Sequence, residues 1–292
     1  MPKTSTKLNG PTMGARWQAQ THQDCDPAPL QAAVDAVEAQ MSLWRAESDL
    51  CRVNAAAPGA WTALPEALTE VLSAALQIGR ASGGAFDIGL GDAWAAWGFG
   101  PAPASEPAIR AARRPRPPAH DLVELDAPNR RLRKHGPVTL DLNGIAKGYG
   151  VDRLTRAARA QGVTEGLFAI DGELRALGGP FPVAVEAPIV GHRAAHSMLA
   201  LQDAAVATSG TYRHFVTVQG RRLSHLIDPA TGMPLADPPD QVTVLAQDCM
   251  TADAWAKVFM VLPPARALTL AAVQGVSVLV LGPHPFATGV FA

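Results

Sequence analysis

LDLNGIAKGYGVDRL, residues 140–154, changes its hydrophobic period halfway along. VTLDL (138–142) alternates like a strand, Asn143-Gly144 turns the chain, and residues from about 144 to 161 follow a helical period. A strand that feeds a helix through a tight turn leaves Asp141 at the strand end. It also leaves the first N–H groups of the helix unpaired, with Lys147 in the first turn. Asp141 can accept from an amino or hydroxyl donor such as an adenine amine or a ribose hydroxyl. Lys147 and the helix N-terminus form an anion-binding corner, and a phosphorylated ligand explains both features. A capped helix with a surface lysine is the plainer reading of the same residues.

Outward from this stretch, helices and strand-like runs are mixed. APLQAAVDAVEAQM (28–41) carries Leu30, Val34, Val37 and Met41 on one helical stripe. PEALTEVLSAALQIGRA (65–81) reads as a second helix, with Pro65 suited to its first turn and Gly83-Gly84 to its end. Residues 101–119 are proline- and arginine-rich, a surface excursion holding at most one short helix. Strands are expected at 122–126, 130–134 and 138–142, within 164–188, 198–208 and 222–228, and at QVTVLA and VSVLVL. Helices are expected over 249–262 and 264–274. The antiparallel-looking strand runs favour an α+β fold over a doubly wound sheet.

Bulk properties narrow the function. With 292 residues, 48% hydrophobic and 17% charged, the chain has ample material for a core. A formal net charge of −1 supplies no general attraction for nucleic acid or anionic lipid, so neither is an expected partner. Cys25, Cys51 and Cys249 are scattered and odd in number, which gives no disulfide framework and no thiolate metal site. MPKTSTKLNGPTMGARW has no apolar run of the signal-peptide kind, and no stretch is long enough for a transmembrane helix. As written, the chain is expected in the cytoplasm; a chain trimmed of its signal would belong to the periplasm.

Three further segments can carry chemistry. SGGAFDIGLG (82–91) places closely spaced glycines on both sides of Asp87, suited to close approach of backbone to a ligand or simply to a helix C-cap and turn. AVATSGTYRHF is followed by RRLSHLIDPATGMPL (221–235). Thr208, Ser209 and Gly210 read as a small polar loop suited to phosphate contact. His225, expected in a strand, is a candidate general acid or base, although a lone histidine is more often structural. In DCMTADAWAKVFMVL (248–262), Asp248 or Thr251 caps a helix, and Asp253 and Lys257 share one face at i and i+4. An ordinary surface ion pair is the plainer account of that pair.

Taken together, these segments resemble the ApbE family of FAD:protein FMN transferases. MGARW (13–17), MSLWRAESDLCRVN (41–54), SGGAFDIGLGDAWAAWGFG (82–100), LDLNGIAKGYGVD, IDGELRALG, ATSGTYRHF, SHLIDPATGMPL and CMTADAWAKVFMVL follow the family's wording in order, from about residue 12 to the C-terminus. The resemblance implies a single α+β domain over 1–292, with two similar β-α-β halves around a central flavin-binding cleft. It implies a transferase that splits FAD and attaches FMN through a phosphoester to Ser or Thr of an acceptor flavoprotein. A FAD-binding carrier or maturation partner without turnover, and a FAD pyrophosphatase, are the alternatives. By resemblance, Met13, Trp44, Ala85, Phe86, Asp87, Asp141, Lys147 and Ile227 contact FAD, and His225 is catalytic. Gly144, through its carbonyl, and Asp253 hold Mg2+.

Two departures stand out. Where the family has threonine at the metal, four residues after the aspartate, this chain has Lys257. Lys257 can point away and leave the magnesium site intact, it can be displaced by FAD-bound magnesium, or its ammonium can take the cation's role. The last is the expectation we favour. Asp171 stands where the family usually has glycine, with no role assigned to it from the sequence.

Overall fold

The computed structural model describes residues 5–100, 102–211, 215–218 and 221–292. The N-terminal part runs β1 (Thr6–Thr12), β2 (Ala15–Thr21), α1 (Pro27–Met41), α2 (Asp49–Ala55), β3 (Trp61–Ala63), α3 (Glu66–Ala81) and α4 (Gly91–Ala96). The middle adds α5 (Glu106–Ala112), α6 (Ala119–Leu122), β4 (Val123–Asp126), β5 (Arg131–Lys134), α7 (Ala146–Ala160), β6 (Gly166–Ile170) and β7 (Glu173–Leu177). There follow β8 (Phe181–Glu186), β9 (Ala195–Leu201), β10 (Ala205–Gly210), β11 (Phe215–Val218), β12 (Arg221–Ser224) and β13 (Gln241–Ala246). The chain closes with α8 (Cys249–Val261), α9 (Pro264–Gln274), β14 (Ser277–Leu281) and β15 (Phe286–Ala287). The fold is α+β, as the order of periods predicts. Among the described residues, no helix is long and apolar enough to cross a membrane.

The chain divides into two compact units. The first comprises residues 1–38, 145–213 and 239–292 and is built on an antiparallel sheet of order β1-β2-β6-β7-β10-β13-β14-β15. Strand alternation decides which side chains face the helices. In β2, Trp17 and Ala19 turn inward and join Leu30 and Val34 of α1, Val151, Leu154 and Ala158 of α7, Phe168, Leu177, Ala205 and Cys249 in one apolar cluster. The opposite face of the sheet receives the β8–β9 hairpin, where Phe181, Val183 and Leu201 pack on Ala176 and Val206. Helices α7 and α8 pack on each other, and α8 lies across β10 and β13. Two turns need special backbone. Met13-Gly14 joins β1 to β2 with φ of 45° and 70°, and Asp171 opens the β6–β7 turn at φ 50°.

The second unit comprises residues 39–144 and 214–238. It holds α2 to α6, the three-stranded sheet β3-β5-β4 and the β11–β12 hairpin. Leu68, Val71, Leu72, Ala75 and Leu76 form the buried stripe of α3, and Gly83 and Gly84 at positive φ end it, as expected. Among its described residues, the expected excursion holds α5 and, at its last position, the start of α6.

The expected strand at 138–142 is not part of a ladder. Thr139 makes one isolated parallel bridge with Leu90. Its neighbours bond elsewhere: Leu140 N–H donates to Asn54 Oδ1 (2.8 Å), Asn54 Nδ2 donates to the Leu140 carbonyl (2.9 Å), and Asp141 N–H donates to the Ile88 carbonyl (2.7 Å). An asparagine side chain does here what a neighbouring strand would do. Thr208, Ser209 and Gly210, read as a loop, lie within β10, paired with Thr243, Val242 and Gln241 of β13.

Candidate active site

In the first unit, four charged side chains gather where α7 begins. Lys147 is the second residue of α7, Glu173 opens β7, and Asp253 and Lys257 stand one turn apart on α8. Lys147 Nζ lies 3.0 Å from Glu173 Oε2 and 3.5 Å from Asp171 Oδ2. Lys257 Nζ donates to Asp253 Oδ1, and the Gly148 N–H donates to Asp253 Oδ2 at 2.9 Å. Asp253 is fully buried, and 18% of the Lys257 side chain is exposed, so this is no surface ion pair. Carboxylates in such a place persist only when paired. Burial, reinforced by the nearby Asp253 charge and opposed by Lys147 and Lys257, pushes the Glu173 carboxyl up to about 7. Burial alone would lower the pKa of Lys147, but Glu173 and Asp253 outweigh it and hold the ammonium protonated well above neutrality.

The close approach of α7 and α8 depends on Gly148. A Cβ there would lie 2.3 Å from the Cys249 carbonyl oxygen and 2.7 Å from Asp253 Cβ. Without it, Asp253 reaches the unpaired first-turn amide of α7 and serves as a remote cap. The same device runs in the opposite direction. Asp152 of α7 accepts from the Cys249 N–H (3.0 Å) and the Met250 N–H (2.9 Å) at the start of α8, and it also accepts from Arg175 of β7. Asp248 completes the start of α8 by accepting from Thr251 N–H at 2.8 Å, as expected of a cap. The Cys249 thiol is buried and its pKa is pushed up, chiefly by that burial, which leaves it chemically quiet.

Ser209 alternates with Ala205 and Ala207 and so faces the helical layer, and its buried Oγ has no hydrogen-bond partner among the described residues. Thr208, on the other face, meets Thr243 Oγ1 at 3.0 Å. Met13 packs its methyl against Gly150, and its N–H donates to Glu38 Oε2 at 3.1 Å. Glu173 and Asp152 were not singled out from sequence. Strict alternation in ELRAL, which puts Glu173, Arg175 and Leu177 on one face, was the available signal for the first.

The second unit holds the remaining predicted residues. Trp44 is 60% exposed and meets Trp94 edge-on at 6.5 Å, and Trp94 stacks on Phe99 at 6.1 Å. Ser48 fixes the turn behind Trp44: its Oγ caps α2 at Cys51 N–H (3.1 Å) and donates to the Ser42 carbonyl (2.6 Å). In the glycine loop, Ala85 is partly buried, Phe86 is buried and Asp87 faces inward. Asp87 Oδ1 accepts from Gly89 N–H (2.8 Å) and Ala119 N–H (3.0 Å), and Arg116 lies 3.8 Å from Oδ2. Asp87 therefore staples its own loop to α6.

Asp141 is partly buried, and Asn143 N–H donates to its Oδ1 at 2.7 Å. Burial pushes its carboxyl up to about 6, against the lowering effect of Asn143. Gly144 follows in the same turn, partly buried. His225 is partly buried one residue beyond the end of β12, at a bend rather than in a strand. The buried Ile227 pairs with Pro234 across a turn in which Asp228 N–H donates to the Met233 carbonyl (2.7 Å) and Thr231 Oγ1 to Asp228 Oδ2 (3.0 Å). Tyr212, Arg213 and His214 of the ATSGTYRHF segment lie outside the described residues.

Among the described residues, no three of His, Cys, Asp and Glu come together in a way that could hold a metal ion. The first unit offers two ammonium groups and a hydroxyl with no partner among the described residues, a set suited to phosphate, and the second offers the partly enclosed Asp141 carboxyl, suited to hydrogen-bond donors.

Known proteins resemble this chain over nearly its whole length. The FAD:protein FMN transferase of Klebsiella pneumoniae is 32% identical over 95% of this chain and 84% of its own length. The FAD:protein FMN transferase of Vibrio cholerae is 33% identical over 96% of this chain and 88% of its own. Among solved structures, the flavin transferase ApbE from Vibrio cholerae superposes with a TM-score of 0.87 at 30% identity, covering 99% of this chain and 98% of that one. The apo form of Pseudomonas stutzeri flavinyl transferase ApbE gives a TM-score of 0.84 at 31% identity, covering 98% and 95%. With residues 13–280 also matching the family as a whole, the chain belongs to the ApbE family.

Proposed function

We infer that this protein is a FAD:protein FMN transferase: it cleaves FAD and attaches FMN through a phosphoester to a Ser or Thr of an acceptor flavoprotein. The hydroxyl oxygen of the acceptor attacks the FMN phosphorus, the bond from that phosphorus to the bridging oxygen breaks, and AMP leaves. Charge builds on the phosphate oxygens in such a step, so positioned cations and donors lower the barrier most. Lys147, held charged by buried carboxylates at the N-terminal turn of α7, is the observation that carries this reading.

His225 takes the proton from the attacking hydroxyl. Asp141 accepts a hydrogen bond from the FAD. Met13, Trp44, Ala85, Phe86, Asp87 and Ile227 complete the flavin-contacting set. Of these, the exposed Trp44 offers a ring face, whereas Asp87 acts through the loop it staples.

Magnesium, which the resemblance implies at Gly144 and Asp253, does not fit the side chains as they stand. One Asp253 oxygen is taken by the Lys257 ammonium and the other by the Gly148 N–H. A divalent ion there would meet an ammonium in direct contact with its only carboxylate ligand.

The test mixes the protein, FAD and an acceptor carrying a Ser/Thr flavinylation motif. Covalent flavin on the acceptor is expected, with a drop of roughly 10²–10⁴ in rate for His225→Ala. FMN and AMP without labelling would instead make the protein a FAD pyrophosphatase, and tight FAD binding without turnover a carrier.

A further inference from the structure

A fully buried carboxylate needs a counter-charge, and Asp253 has one built into its own helix. The Lys257 ammonium reaches back one turn to Asp253 Oδ1, and Oδ2 is occupied by the Gly148 N–H. An ammonium has three donors, and among the described residues Asp253 receives the only hydrogen bond shown for this one. A fifth of the side chain remains open, so the group is not sealed in.

Two further features point to an anion. Lys147 brings a second ammonium to the first turn of α7, paired with Glu173. Ser209, on the helix-facing side of β10, keeps a buried hydroxyl with no partner among the described residues, on a strand against which α8 packs. A buried unpaired hydroxyl is costly unless a ligand completes it.

We propose that Lys257 is the resident cation of this site. Held by Asp253, its ammonium receives the phosphate oxygens of the dinucleotide in the role a divalent metal would otherwise fill, and binding and transfer proceed without such a metal. This rests on the flavin-transfer reading above. The balance of the transfer step is unchanged: no electron or atom is drawn from Lys257, which stays protonated and donates hydrogen bonds throughout.

The experiment uses the full chain freed of metal by chelator. Flavin fluorescence gives the affinity for FAD in chelator and in magnesium, and electron paramagnetic resonance with Mn2+ counts bound divalent ions with and without FAD. Expected are FAD affinities within about twofold in the two conditions, and no Mn2+ beyond what free FAD itself retains. Lys257→Met should weaken FAD binding by at least about tenfold in both conditions. Lys257→Thr, which clears the ammonium and adds an oxygen ligand, should bind Mn2+ stoichiometrically and recover affinity only in its presence. If Lys257→Met fails to fold, the double variant Asp253→Asn/Lys257→Met removes both charges together and is expected to show the same loss.

Stoichiometric Mn2+ on the unaltered protein, or a tenfold or greater loss of FAD affinity in chelator, would overturn the proposal and leave the flavin reading standing. Absence of FAD binding in every condition would remove both.

Discussion

Asp152 and Asp253 are the same device built twice and finished differently. Each is buried on one of a pair of packed helices, and each accepts from the unpaired first-turn amides of the other helix. Asp152 is closed: Arg175 and two amides occupy it, three donors in all. Asp253 is open: its cation is a flexible lysine whose only hydrogen bond among the described residues goes to Asp253, and near it stand a second lysine and a carboxyl that titrates near neutrality. A planar guanidinium fixes a structure, whereas a mobile ammonium with spare donors can also receive a ligand.

The largest effect should come from the closed member. Asp152→Ala orphans Arg175 and two amides and is expected to cost about 3–5 kcal/mol, read from urea unfolding. Gly148→Ala forces a methyl into the Cys249 carbonyl and should cost about 3 kcal/mol by pushing the two helices apart. Asp253→Ala should cost less, about 2 kcal/mol, because it leaves one helix-start amide without its acceptor where Asp152→Ala leaves two. If the two aspartate variants cost the same, the distinction between closed and open is wrong.

A pH profile sharpens it further. Glu173 holds its proton in the folded protein up to about 7 and loses it at its ordinary 4.5 when unfolded, so its contribution to stability is complete below about 4.5 and declines as pH rises to about 7. Glu173→Gln should flatten the fall in unfolding midpoint between pH 5 and 8. A smaller fall from about 4 to 6 should remain, from Asp141 acting in the same direction. Least affected should be Asp171→Gly. Glycine tolerates the φ of 50°, and only an exposed 3.5 Å contact to Lys147 is lost, so a change within about 0.5 kcal/mol is expected by the same measurement.

That turn also explains why an aspartate can stand where glycine is usual: Asp is among the side chains that accept a left-handed backbone. Much else was legible because it is local. Pro65 and Gly83-Gly84 bracket α3, Asp248 caps α8, and the alternation in QVTVLA gives β13. What escaped depends on partners distant in sequence. Asn54 and Leu140, 86 residues apart, turn an expected strand into a strip held by a side chain. Gly148 and Asp253, 105 residues apart, make a buried cap of what reads as a surface pair. Ser209 reads as loop because Thr-Ser-Gly is loop chemistry, yet β13 provides a full ladder for it. The expected site residues fall in both units, and for most of them the sequence named the residue without its partners.

The reciprocal caps have a consequence for motion. The first turn of α7 is held by an atom of α8, and the first turn of α8 by an atom of α7. Neither helix start can fray without releasing the other, so the amides of Gly148, Cys249 and Met250 belong to one opening unit in hydrogen exchange. Lys147 sits inside that unit, and a ligand that grips its ammonium slows the exchange of amides it never touches.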